Sequence, residues 1–345
     1  MSTSVERTDH RFIYILMALL LILAAVPGCS KETGPKSRSR TYFDCFDTVS
    51  SIYSYQKESE EQFEKTASSI REMLVRYHCL LDIYNEYEGI NNLCTLNKNA
   101  GIQSVELDPF LLDYLQKGID YYHLTGGEMN IMMGSVLSIW HNCRENSILP
   151  SNEELEKASE HTDIHSLVID REKGTAYISD SLASVDAGAM GKGFAAEAIA
   201  QYLIENGKTS YVVDIGGNLR LVGTKPNGDS WITGIKDPTK ENQIAVRLSL
   251  SDTSCVTSGN YERYVEIDGK RYSHIIDKDT LMPADYYLSV SVITPDSALA
   301  DALATALSCM SLESGLEMLR GLENVQVLWI LPDMSMVTTE GFKTL

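Results

Sequence analysis

Asp301 and Thr305 stand four residues apart in "DSALADALATALSCM" (296–310), an alanine-rich stretch whose apolar residues recur at helical spacing. Positions i and i+4 share one face of a helix, so a carboxylate and a hydroxyl project together from surroundings that are otherwise almost wholly apolar. Two hard oxygens so placed suit Mg²⁺, an ion that keeps several waters and takes its remaining ligands from a substrate phosphate. A structural alternative stands beside this reading: Thr305 bonds back to its own helix and Asp301 caps a neighbour. The pair alone does not choose between them.

Three further stretches offer chemistry. "VDAGAMGKGFAAEAIA" (185–200) reads as a strand, a glycine-rich turn and a helix start, which brings backbone N–H groups and a helix dipole to a phosphate. It is no Walker loop, because Gly193 follows Lys192 where that motif needs Ser or Thr, and glycines 188, 191 and 193 miss the dinucleotide fingerprint. A tight turn that needs small residues for packing is the competing explanation. "VVDIGGNLRLVG" (212–223) carries Asp214, two glycines and Asn218, and by default is only a strand turn. "TSGNYERYVEIDGKRYSHIIDKDT" (257–280) sets Ser258, Tyr261, Arg263, His274 and Asp277 around a hairpin, with Asp277 near enough to orient His274 as a base.

These groups need elements to position them. "FDTVSSIYSY" (46–55) has strand composition, and Glu60 to about Leu81 has helical periodicity with Phe63, Ile70, Leu74 and Tyr77 on one stripe. "LDPFLLDYLQKGIDYYHLT" predicts a second helix, capped by Asp108 with Pro109 in its first turn, and "SNEELEKASEH" a third, with Ser151 and Glu154 as a capping box. From Leu167 onward short strands dominate: "SLVIDREKGTAYIS" is a hairpin, and the runs from Ser210, Trp231 and Ile244 alternate apolar residues. Asp268-Gly269 turns a further hairpin, and "VQVLWILPDMSMVTTEG" another. Two helices interrupt them, "GKGFAAEAIAQYLIENG" and the stretch at 296–310. Segregated helices and mixed hairpins predict an α+β fold, one globular body of mixed β-sheets with packed helices.

The chain has 345 residues, 43% of them hydrophobic, enough for a sizeable core. Its net charge of −19 excludes nucleic acid as a partner, since a phosphate backbone demands concentrated Lys and Arg. Residues 1–28 have the layout of a secretory signal, basic residues followed by the apolar run Phe12 to Val26, and Cys29 after a small residue resembles a lipobox. Residues 29–41 follow as a polar, basic tether and 42–345 as the folded body, on a bacterial cell membrane facing the extracytoplasmic side. The six later cysteines show no CxxC spacing and read as buried thiols.

Read in order, "DAGAMGKG", "VVDIGGNLRLVG", "TSGNYERYVEIDGKRYSHIID" and "ADALATAL" together resemble the ApbE family of bacterial flavin transferase lipoproteins, over roughly residues 42 to 340. The resemblance implies an FAD:protein FMN transferase: a Mg²⁺-dependent enzyme that cleaves FAD, joins FMN through a phosphoester to a threonine hydroxyl of a secreted or membrane flavoprotein, and releases AMP. It places metal ligands on Asp301, Thr305 and the backbone carbonyl of Ala189. Contacts to FAD fall on Tyr84, Glu128, Met129, Asn130, Asp186, Lys192 and Ile275, and the base on His274 with Asp277.

Two positions depart from the family pattern. Glu128-Met129-Asn130 replaces a Gly-x-Phe-Asp segment, and Phe46 stands where many relatives have Met. The alternatives are a lipoprotein that hydrolyses FAD to FMN and AMP or only binds flavin, and a lipid-anchored binding protein without catalysis, whose binding would persist in EDTA.

Overall fold

The computed structural model describes residues 37–345; the expected signal segment and Cys29 lie outside the described residues. The chain opens with β1 (Arg38–Cys45), β2 (Thr48–Ser54), α1 (Glu60–Leu81), α2 (Leu93–Lys98), β3 (Val105–Glu106) and α3 (Pro109–Leu124). It continues through α4 (Gly134–Asn146), α5 (Asn152–Ser159), β4 (Leu167–Asp170), β5 (Thr175–Ile178), α6 (Gly191–Glu205), β6 (Ser210–Ile215) and β7 (Asn218–Gly223). Then come β8 (Trp231–Lys236), β9 (Ile244–Leu250), β10 (Thr253–Gly259), β11 (Tyr264–Ile267), β12 (Lys270–Ser273) and β13 (Ser289–Thr294). The last elements are α7 (Ser297–Ser308), α8 (Leu312–Met318), β14 (Gln326–Ile330) and β15 (Met336–Thr338). Among the described residues no helix is long and apolar enough to cross a membrane.

Eight strands form one antiparallel sheet in the order β1-β2-β6-β7-β10-β13-β14-β15. β3, β5 and β4 form a small second sheet, while β8-β9 and β11-β12 are separate hairpins. Helices α6 and α7 lie side by side on the large sheet, α6 over β6 and β7 and α7 over β10 and β13. The fold is α+β, as expected.

Local chemistry sets the helix ends. Ser59 accepts from Gln62 N at 3.1 Å and its own N–H donates to Gln62 Oε1 at 2.8 Å, so α1 begins there and buries Phe63, Ile70, Leu74 and Tyr77. Asp108 caps α3 and Ser151 caps α5 in the expected manner. At the Asp268-Gly269 turn both residues have positive φ, 51° and 77°, which closes β11 onto β12.

The contact between α6 and α7 depends on small residues. Ala195, Ala196 and Ala200 of one helix meet Ala298, Ala302 and Ala306 of the other in the main core. A Cβ at Gly193 would fall 2.3 Å from Ser297 O and 2.5 Å from Asp301 Cβ, so the glycine after Lys192 is a packing requirement. Gly193→Ala is therefore expected to lower unfolding free energy by about 1–3 kcal/mol, read from the denaturant midpoint.

Several details differ from expectation. The body begins at Arg38, so residues 38–41 are strand, not tether: Arg38 Nε pairs with Glu60 at 2.9 Å, and Arg40 pairs with Glu64. A basic run that reads as solvated is matched to the acidic first turn of α1. Val185–Ala187 is not a strand; Val185 is held by the Asn97 side chain, which accepts from its N–H at 2.8 Å and donates to its carbonyl at 2.9 Å. Helix α4 and the fully buried β13 were not anticipated. All six cysteines of the described residues are free, five of them buried.

Candidate active site

A cavity of about 750 Å³ opens beside α7. Its walls are the turn before α6, the face of α7 that carries Asp301 and Thr305, the chain leaving β12 at His274–Ile276, the loop after α1, and one side of α4. Five basic side chains line it, Arg144, Lys192, Lys236, Arg263 and Lys278, together with seven carboxylates, Asp301, Asp186 and Glu128 among them. This mixed lining offers cations to an anionic ligand and hard oxygens to a metal ion.

The three expected metal ligands meet on one wall. Thr305 Oγ1 donates to the Ala189 carbonyl at 3.1 Å and so bonds across to the α6 turn, not back along its own helix. Asp301, 4% exposed, does cap a neighbour: its Oδ2 accepts from Gly193 N at 2.8 Å in the first turn of α6. Asn218 reaches it from β7, and with the amide nitrogen turned to the carboxylate it donates to both oxygens at 3.2 Å. These donors leave part of the carboxylate's accepting capacity free. Burial raises the Asp301 pKa, against the opposing pull of Lys192 and the Gly193 N–H. A carboxylate, a hydroxyl and a carbonyl are all hard oxygen donors, so the set fits Mg²⁺ better than a soft metal. No group of three or more His, Cys, Asp or Glu side chains could hold a metal among the described residues. A cation at this wall would complete its shell with water or substrate oxygens.

His274 faces the same cavity. Its Nδ1 lies 3.1 Å from the Arg263 carbonyl, so Nδ1–H donates and Nε2 keeps the lone pair. Burial, with the nearby charges of Lys192, Arg263 and Arg144, lowers its pKa to about 4 against the pull of the Arg263 carbonyl, and the ring is a neutral base at pH 7. Arg263 is itself tied down by a 3.1 Å bond from Nη2 to the Asp47 carbonyl. Asp277 does not orient His274. Its Oδ1 accepts from Asp279 N at 2.9 Å and Thr280 N at 2.8 Å, which commits it to the following turn.

The residues expected to touch flavin divide. Tyr84, Glu128, Asn130, Asp186, Lys192 and Ile275 line the cavity; Met129 does not. The Met129 N–H is fixed by Thr125 Oγ1 at 3.0 Å and its side chain is fully buried in the main core. Asn130 has both polar ends engaged, Nδ2 with Thr162 O and Oδ1 with Met132 N, each at 2.8 Å, so it shapes the loop. Glu128 lies 3.5 Å from Lys278, and burial raises its pKa. Tyr84 is exposed at the rim, its ring centroid 5.1 Å from that of His141. Asp186 accepts from Gly188 N at 2.7 Å and holds the glycine turn.

The match to known proteins follows this geometry. Residues 46–329 match the model of the ApbE family. The chain belongs to the ApbE family. An FAD:protein FMN transferase of Treponema pallidum is 30% identical over 339 residues, which cover 94% of this chain and 92% of that one. A solved ApbE protein of Thermotoga maritima superimposes with a TM-score of 0.79 at 25% identity, covering 88% of this chain and 97% of the other. The ApbE flavin transferase of Vibrio cholerae gives 0.75 at 25% identity over the same shares.

Within this ApbE body, sequence reasoning missed His141 and Arg144 and left Asn218 as a strand turn. The first two sit three apart on α4, a helix whose pattern was available from the buried Val136, Trp140 and Cys143. Asn218 carries no comparable signal, because its partner Asp301 is 83 residues away in sequence.

Proposed function

We propose that this chain is a Mg²⁺-dependent FAD:protein FMN transferase, anchored through a lipid on Cys29 to the outer face of a bacterial cell membrane. One observation carries the catalytic reading: the oxygens of Asp301, Thr305 and Ala189 share a cavity with the neutral base His274. The relatives' activity supports it. The signal-like layout of residues 1–29 supports the anchor.

Each residue then has a task. His274 Nε2 takes the proton from an acceptor threonine hydroxyl as its oxygen bonds to the flavin-side phosphorus; the bridging P–O bond breaks and AMP leaves with the electron pair. The Arg263 carbonyl fixes the tautomer that makes Nε2 the acceptor. Lys192, at the start of α6, lines the same cavity and brings positive charge that acts on both the base and Asp301. Asp301, Thr305 and the Ala189 carbonyl would hold Mg²⁺, and the ion would supply charge neutralisation for the diphosphate.

Mass spectrometry of a threonine-bearing secreted flavoprotein domain, incubated with FAD, Mg²⁺ and this protein, tests the proposal. A mass gain of one FMN that is absent in EDTA is expected. FMN and AMP formed over an unmodified acceptor would move the activity to hydrolysis, and intact FAD would remove the reading. Cys29→Ser is expected to shift the protein out of the membrane fraction; unchanged sedimentation would refute the anchor.

A further inference from the structure

We propose, resting on the flavin reading above, that Arg144 holds the FMN half of FAD by a charge-assisted hydrogen bond to a phosphate or ring-carbonyl oxygen. Arg144 lines the cavity from the last turn of α4. Its Nη1 is shielded from solvent and has no hydrogen-bond partner among the described residues. Burying a guanidinium N–H without an acceptor is unfavourable, because a charged group loses its water and gains nothing in return.

Arg220, which is buried where Arg144 is half-buried, shows what a structural role looks like. Arg220, 4% exposed, pairs with Glu197 at 3.2 Å and Asp252 at 3.1 Å. Arg144 forms no ion pair among the described residues, and burial lowers its pKa while Tyr84 and Asp186 pull the other way. The helix beneath it is well fixed: Trp140 Nε1 donates to the Leu281 carbonyl at 2.8 Å, and Trp140 and Cys143 are buried against the β11-β12 hairpin. The guanidinium is therefore presented to the cavity by a rigid support, with one arm waiting for an acceptor.

Its position selects the half of the ligand. Lys192 precedes Gly193, whose N–H bonds Asp301 at the metal wall, whereas Arg144 lies one turn along α4 from His141, whose ring packs beside Tyr84. Tyr84 and His141 make the aromatic pair on the same side of the cavity as Arg144, a surface for a planar ring. The planar fork of Arg suits paired oxygens, which both a phosphate and the carbonyl edge of an isoalloxazine offer.

Equilibrium binding in EDTA tests this, with FAD, FMN and riboflavin followed by flavin fluorescence and AMP by calorimetry, for wild type, R144Q and R144K. R144Q is expected to weaken FAD and FMN by roughly 10- to 100-fold and leave AMP unchanged, with R144K between. Riboflavin weakened alongside FMN identifies the ring carbonyl as acceptor; riboflavin unchanged identifies the phosphate. FMN affinity untouched in both variants, or AMP weakened as much as FMN, overturns the proposal. Thermal melts of both variants, expected near wild type because Nη1 bonds to nothing in the fold, separate lost contact from lost structure. A wild-type protein that binds no flavin would instead remove the flavin reading itself.

Discussion

Asp301→Asn is expected to cut FMN transfer by roughly 10³-fold, about 4 kcal/mol of barrier, and at the same time to raise the melting temperature of the metal-free protein. The two effects have one cause. Burial raises the Asp301 pKa, so the folded state disfavours the charged form. For a carboxyl with a raised native pKa, the stabilising contribution is present below its ordinary value and is lost as pH rises through the native one. At neutral pH the ionised side chain is therefore a strain on the fold that a bound cation relieves. Asparagine keeps an oxygen for the Gly193 N–H and removes the charge. Scanning fluorimetry with and without Mg²⁺ gives the reading: added Mg²⁺ should raise the melting temperature of wild type and not of the variant. Equal shifts in both proteins, or undiminished transfer by the variant, would take the cation away from Asp301.

That site was half legible in the sequence. Helical spacing put Asp301 and Thr305 on one face, and the structure keeps them there because i and i+4 geometry is local. The same holds for Asp108 and Ser151, whose caps act within three residues. What failed was long-range or depended on chain direction. Arg38 and Arg40 look solvated until α1 brings Glu60 and Glu64 beside them. Asp277 is three residues from His274, yet the chain turns there and its carboxylate goes to the N–H groups of Asp279 and Thr280. Met129 sits in a stretch whose neighbours line the cavity, but an apolar side chain goes to the core when the backbone lets it. Asn218 and Arg144 gain meaning only from partners, or the lack of one, that folding creates.

His274→Ala is expected to reduce transfer at pH 7 by about 10²- to 10⁴-fold, the usual contribution of a positioned general base, with little change in FAD affinity. Its pH signature is more specific. Because burial and three nearby cations lower the native pKa to about 4, the ring stays an available base well below pH 6.5, the ordinary value for histidine. Wild-type kcat/KM should therefore hold level from neutral pH down to about 5 and fall through an acid limb near 4. Burial also raises the pKa values of Asp301, Asp186 and Glu128, and their protonation bends the same limb, so the comparison with the variant decides. If His274 is the base, the residual activity of His274→Ala loses that limb; a limb that persists belongs to the carboxylates. Stability should follow in the same direction, since a histidine held neutral in the fold contributes fully above pH 6.5 and loses that contribution as pH falls toward 4. An acid limb centred at 6.5 in the wild type would show a solvent-exposed ring, and the base would have to be sought elsewhere in the cavity.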